Sequence, residues 1–518
     1  MSGIKAEFQP IAEKAYKKLE EDRKPFLEKA KECAFFTLPR VLPKELKSYT
    51  NLDKAYSDMG SEGVNNLVSE LMRILFPPHI PFFSFKVSTD YMRQLVEQNI
   101  TDKERLEVQK AMDEEGRKVR KTLLSRNRAV LTEALEHLVI AGNVLLHYTG
   151  KGFKLFNLSE FVVKRDDQGT LLDVVTYEKH LYRALPIQLQ ERLFNIAAEK
   201  GEEIDEEDEN ISVDIYTHVK RFKGKLYVYQ EFKEQFIEAP KAFDDVTCPF
   251  LPLRFTEISK ESYGHSYVEN HLRTFEEYNR ECKNLSRFSN VASKIVFFGG
   301  VGLTKPQDFK NAKSGDLIKG KAEDIGTFNM NNKHSDMRVT MNNEERLERR
   351  LFRVFLLTHV RDAERVTATE IQEESRKARA TLGKFYTTIA NELQEKCVRI
   401  VYQDLLSKGS IAEILVEGQS ELEITTGIDA LGRNEEYTNL TTYLGTLQNT
   451  LGGAVIPMLK IENIAAIFAS TLDINADDIV KTKEEIQSEQ ERNMAQQIAT
   501  NVAPGYVQQQ LGQQQEGA

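Results

Sequence analysis

The spacing of apolar residues changes period along this chain, and that change confines the fold to long helices combined with an antiparallel sheet. Residues from about 5 to 37 carry Ile11, Ala15, Leu19, Phe26 and Ala30 at near-helical spacing, and Pro39 and Pro43 end the pattern. Val64, Leu67, Leu71 and Leu75 predict a helix from about Gly63 to Phe76, stopped by Pro77 and Pro78. Residues 81–88 read as a strand. Two helices are expected over 90–126 and 128–142; the second is apolar along Leu131, Leu135, Leu138 and Val139 and ends at Gly142. The period then shortens. Residues 143–180 and 211–238 read as strands, with hairpin turns at Asp166-Asp167-Gln168-Gly169 and at Lys223-Gly224. A short helical patch and an acidic run at 201–210, read as a solvated loop, separate them.

From about 265 the helical period returns. Val268, Leu272, Phe275, Cys282, Leu285 and Phe288 form one stripe, predicting a helix of five or six turns. Residues 294–340 hold six glycines and short mixed runs, which reads as a small β-rich module between helices. A second long helix is expected over 342–360, and RDAERV at 361–366 interrupts it. Thr367 and Glu370 have capping-box spacing and open a third long helix to about Leu406. Two or three smaller helices are expected over 454–490, followed by a Gln-rich frayed tail. No internal repeat is visible. The fold class is α+β, mainly α.

Catalysis finds no support in the sequence. GGVGLTK at 299–305 departs from a phosphate-binding loop, because Leu303 and Thr304 separate Gly302 from Lys305. No HExxH and no G-x-S-x-G occurs, and His137 reads as a packed or surface residue. Adjacent Asp166 and Asp167 suit a turn rather than a metal pair. Cys33, Cys248, Cys282 and Cys397 form no CxxC pair, so neither a metal site, a cofactor nor a disulfide framework is signalled; a reducing compartment fits. No segment approaches the length of apolar run that spans a bilayer, and the N-terminus lacks a secretory apolar region, so no membrane insertion is expected. With 70 basic and 80 acidic residues the net charge is −10, which disfavours a protein that grips nucleic acid tightly. It does not disfavour one that touches DNA without holding it.

Charge on the late helices is more informative. Arg346, Arg350 and Arg353 are spaced four and three, which places them on one helix face. Leu347, Leu351, Val354 and Phe355 form a neighbouring apolar face, with Glu345 and Glu348 among them. Arg361, Asp362, Glu364 and Arg365 sit in the break that follows. Such a mixture suits a solvated, ion-paired face, or a lining without a continuous adhesive field.

Several strings, in order, resemble the head-to-tail connector (portal) proteins of short-tailed, podovirus-type phages. They are EEDRKPFLEKAKECAFFTLPRVLPK, GVNNLVSELMRILFPP, EALEHLVIAGNVLL, SEFVVKRDDQGTLLDVVT, CPFLPLRF, ESYGHSYVENHL, GDLIKGKAEDI and ERVTATEI, running from Glu20 to Ile371, with a weaker likeness to about residue 480. The resemblance implies a ring, usually of twelve copies, at one capsid vertex. Double-stranded DNA enters and leaves through its channel without sequence specificity, and the ring nucleates procapsid assembly. It implies a wing (1–264), a first stem helix (265–293), a clip (294–341), a second stem helix (342–360) and a tunnel loop (361–366). A long wing helix and return (367–439), a crown (440–486) and a flexible tail (487–518) follow. Arg346, Arg350, Arg353, Arg361, Asp362, Glu364 and Arg365 would face the channel. Lys305, Lys310, Lys313, Lys319 and Lys321 would make the clip basic where it meets terminase and later tail proteins. Major capsid, scaffolding and internal core proteins would be further partners, in the virion and, during assembly, in the host cytoplasm. A conduit of this kind is not an enzyme. A packaging ATPase of the terminase type, or a tail ring without a packaging role, is the competing reading.

Overall fold

The computed structural model describes residues 9–43, 52, 54–77, 81–88, 102–201, 210–292, 297–299, 325–327, 334–357, 389–412, 420–424, 440–447, 449–450, 464 and 492. The chain divides into two compact units. One comprises Met1–Phe76 and Ser84–Ile424; the other comprises Pro77–Phe83 and Thr425–Ala518. In the second, residues 440–447 are helical. The described elements of the first are mixed α and β with helix predominating.

Its helices are α1 (Ala12–Phe36), α2 (Met59–Leu75), α3 (Asp102–Ala141), α4 (Ile187–Glu199), α5 (Leu272–Ala292), α6 (His334–Val354) and α7 (Lys396–Ser407). After a short strand β1 (Phe83–Val87), the period-two region forms an antiparallel meander of β4 (Phe161–Arg165), β5 (Leu171–Leu181), β6 (Ser212–Phe222), β7 (Lys225–Phe232) and β8 (Gln235–Phe236). A short β9 (Lys241–Phe243) also pairs with β7. Both expected hairpins form. Asp166 Oδ1 accepts the amides of Gln168 and Thr170, and Gly169 has φ of +85°. At the second turn Lys223 and Gly224 both lie at positive φ, as a two-residue hairpin turn requires.

The meander is covered on two sides because its apolar residues alternate. Val162, Val175 and Tyr229 pack on Ala12, Tyr16 and Leu19 of α1. Val213, Ile215 and Phe232 pack with Leu193, Ile196 and Ala197 of α4. A three-stranded sheet lies deeper, with β2 (Asn143–Tyr148) between β3 (Phe153–Phe156) and β10 (Phe250–Arg254). Val144, Leu145 and Leu146 are successive and all fully buried, so this strand is covered on both faces.

The first amides of α1 find no local cap, since Ile11 precedes them. Glu231 on β7 supplies one: its carboxylate accepts the amides of Ala12 at 2.6 Å and Glu13 at 3.3 Å. Burial pushes the Glu231 carboxyl upward, and the two backbone donors oppose that shift.

Two expectations need correction. The two helices expected over 90–126 and 128–142 are one helix over the described span Asp102–Ala141. Asn127, which interrupts the apolar pattern, does not break it. Its amide donates to the Leu123 carbonyl at 2.9 Å and its oxygen accepts the Phe153 amide at 2.8 Å, tying α3 to β3. The helix expected over 342–360 runs instead from His334 to Val354. Nothing bars the earlier start, since 334–341 contains neither Gly nor Pro. It stops early because Leu356 has φ of +57°. The third long helix is described only from residue 389, where a π-helical turn, Ala390–Glu395, leads into α7. The capping pattern at Thr367 and Glu370, most of the acidic run, the expected helices over 454–490 and the Gln-rich tail lie, isolated positions aside, outside the described residues.

Candidate functional site

The Val268–Phe288 stripe builds α5, whose side chains meet α6. Phe275 lies 5.7 Å from Phe355, centroid to centroid. Further along, Tyr278 and Cys282 of α5 interact with Glu344 and Glu348 of α6, so the helices run antiparallel. Leu347, Leu351 and Phe355 are buried, as the apolar stripe requires. Burial pushes the Glu344 carboxyl upward, and the Glu348 charge beside it adds to the shift. Between the two helices in sequence, β11 (Phe297–Gly299) pairs antiparallel with β12 (Ile325–Thr327).

Arg346, Arg350 and Arg353 are all exposed on α6, away from that apolar seam. Arg349 joins them and pairs with Glu345 one turn earlier at 2.7 Å. Arg350 is near the start of α5, where it helps burial depress the His271 imidazole. The outer side of α6 is therefore a guanidinium-rich strip interrupted by one paired carboxylate. It can attract a polyanion through solvent without a deep site to grip it. Arg361, Asp362, Glu364 and Arg365, and Lys305, Lys310, Lys313, Lys319 and Lys321, lie outside the described residues.

The end of α6 is fixed by residues that pattern reading passed over. The amides of Leu356 and Leu357 turn back to the carbonyls of Arg353 (3.4 Å) and Phe352 (3.0 Å). This is the paired bonding of a Schellman terminator, with leucine where glycine is usual. The Tyr267 hydroxyl donates to the Val354 carbonyl at 2.8 Å. The Asn66 side-chain amide donates to the carbonyls of Phe355 at 3.0 Å and Leu356 at 3.1 Å. Every carbonyl from Leu351 to Leu356 thus has a partner, since the Phe355 amide takes that of Leu351. Asn66 is one of several polar residues on an amphipathic helix, with no signal in the sequence of a distant partner.

A second cluster sits where the chain enters α5. His265 is bracketed by Glu261 at 2.8 Å and Glu269 at 3.1 Å, borders a 240 Å³ cavity with Cys33 and Lys29, and abuts the Phe26 ring. The Glu-x₃-His-x₃-Glu spacing within ESYGHSYVENHL was its available signal. His137 is buried in α3 and held neutral, its imidazole pushed down to about 4 by burial and by Arg40. Among the described residues no three His, Cys, Asp or Glu side chains converge on a metal-sized site. No described helix is long and apolar enough to cross a membrane.

Residues 10–480 match the model of the bacteriophage head to tail connecting protein family, so the chain belongs to that family. The portal protein of Escherichia phage T7 is 30% identical over 506 residues, covering 94% of this chain and 90% of its own length. The portal protein of Enterobacteria phage T3 is 29% identical, covering 95% and 92%. That of Pseudomonas phage phiKMV is 25% identical, covering 92% and 93%. Among solved structures, the neck of an empty gene transfer agent particle is similar at a TM-score of 0.36 and 12% identity, covering 74% of this chain and 86% of its own.

Proposed function

We propose that this connector is the portal of a short-tailed phage, assembling as a ring, expected to be of twelve copies, around an axial channel for double-stranded DNA. The observation that carries the reading is the family match across 10–480 together with portal relatives that align over nearly their whole length. On this reading α5 and α6 are the stem, the segment between them the clip, the preceding sheet-and-helix body the wing, 361–366 the tunnel loop and 440–486 the crown. The ring sits at one capsid vertex of the virion, is assembled in the host cytoplasm, and meets scaffolding, capsid, internal core, terminase and tail proteins in turn.

Chemistry supports a conduit over a catalyst. A channel that held phosphates in fixed register would resist sliding. The exposed arginines of α6 are relieved by a paired carboxylate and belong to an acidic chain, which suits passage. Arg346, Arg350, Arg353, Arg361 and Arg365, diluted by Asp362 and Glu364, would face DNA. The five clip lysines would face an acidic partner. Electron microscopy of the purified full chain tests the reading. Rings with an axial hole wide enough for a duplex are expected. A chain that stays monomeric even with its scaffold would overturn it, and rings that form but support no packaging would favour a tail ring.

A further inference from the structure

We infer that the end of α6 is a strained, releasable stop, and that Asn66 and Tyr267 form the latch that holds it closed. Leu356 occupies the left-handed region at φ of +57°, a conformation that a side chain with a β-carbon disfavours. Nothing in the local sequence demands it: 351–357 contains no Gly, Asn or Pro. The conformation is imposed from outside. Asn66 on α2 takes two of the terminal carbonyls and Tyr267, just ahead of α5, takes a third. Phe355 is fully buried beside Phe275 and Tyr267, with Gly63 of α2 closing against its ring. Three separate segments therefore hold one unfavourable residue.

A strained backbone held by side chains from other elements has two states. In the closed state the helix stops and its carbonyls are bonded by the body of the subunit. In the open state Leu356 relaxes to right-handed backbone and the two turn-back bonds are lost. Any load along α6, or any displacement of α2, acts directly on this balance. The latch lies within one subunit, so its detection does not depend on the proposed DNA role.

Hydrogen exchange of the full chain, followed in the peptide covering 351–357 and expressed as protection relative to intrinsic rates, tests it. Leu356→Gly removes the strain and should raise protection of the two turn-back amides roughly five- to thirty-fold, the range expected for relieving one left-handed side chain. Leu356→Ala keeps the β-carbon and should give no such gain. Asn66→Ala and Tyr267→Phe should lower protection, and Leu356→Gly should recover part of the loss in combination with either. Tyr267→Phe removes a single oxygen, so it carries the test should Asn66→Ala fail to fold. The inference is overturned if Leu356→Gly gives no more protection than Leu356→Ala. It is also overturned if Tyr267→Phe folds and leaves the peptide's exchange unchanged.

Discussion

Gly63 and Phe355 are in such close contact that a β-carbon on Gly63 would lie 2.7 Å from Cγ of the ring. Two residues far apart in sequence thus seat the end of α6 on α2. Alanine is the better helix former, so Gly63→Ala would stabilise an isolated α2. Packing overrides that preference. Gly63→Ala should cost about 1–3 kcal/mol by forcing the ring aside, and Phe355→Ala about 3–5 kcal/mol through the cavity left behind. Chemical denaturation at fixed protomer concentration measures both, and a more stable Gly63→Ala protein would contradict the packing described.

His265 should make stability depend on pH. Burial lowers its basicity, but hydrogen bonds and charge from Glu261 and Glu269 together outweigh it, and the imidazole is raised above 6.5. A raised histidine contributes stability that is fully present below its unfolded value and lost as pH rises through its folded value. The melting temperature gap between wild type and His265→Gln should therefore be widest below 6.5, above the range where carboxylates titrate, and narrow on going alkaline. A gap that is flat or widens with pH would falsify the assignment.

Thiol reactivity should rank by burial. Cys33 is pushed up to about 12 and Cys248 to about 11, both by burial, and Cys397 is wholly buried. Cys282 is only half-buried beside Tyr278. Alkylation of the isolated native subunit at mildly alkaline pH should mark Cys282 first and leave the other three until denaturant is added. Peptide mapping reads the order directly.

The α6 arginines should govern DNA passage and not folding. Arg346, Arg350 and Arg353 are exposed, so replacing all three with Gln should shift stability by only a few tenths of a kcal/mol each. Packaged genome per particle should fall several-fold, and further when Glu replaces them. Particles filled normally by the Glu variant would place these residues away from the channel.

Much of this architecture was readable from spacing alone. Both hairpin turns, the stop at Gly142 and the apolar seam through Leu347, Leu351 and Phe355 follow from local rules that the chain obeys. At Asn127 and Leu356, where reading failed, a distant partner decided. Asn127 interrupts an apolar pattern, yet the Phe153 amide makes it a bridge inside one helix. Leu356 is a good helix former, yet Asn66, remote in sequence, helps end the helix there. The exposed arginines of α6 were correctly grouped by their spacing. The latch beside them was invisible, because no periodicity encodes a hydrogen bond between segments.

The carboxylate of Glu231 that completes the start of α1 has a consequence for how the chain is made. Ala12 is synthesised early and its partner is 219 residues later. The ribosome therefore releases the first helix with its leading amides still bonded only to water. Ala12, Tyr16 and Leu19 meet Val162 and Val175 first, and the cover is completed by Tyr229, and the cap by Glu231, only when β7 emerges. Premature pairing between neighbouring nascent chains is most dangerous before the meander is made, and truncation anywhere before residue 231 leaves the leading amides of α1 without their carboxylate partner.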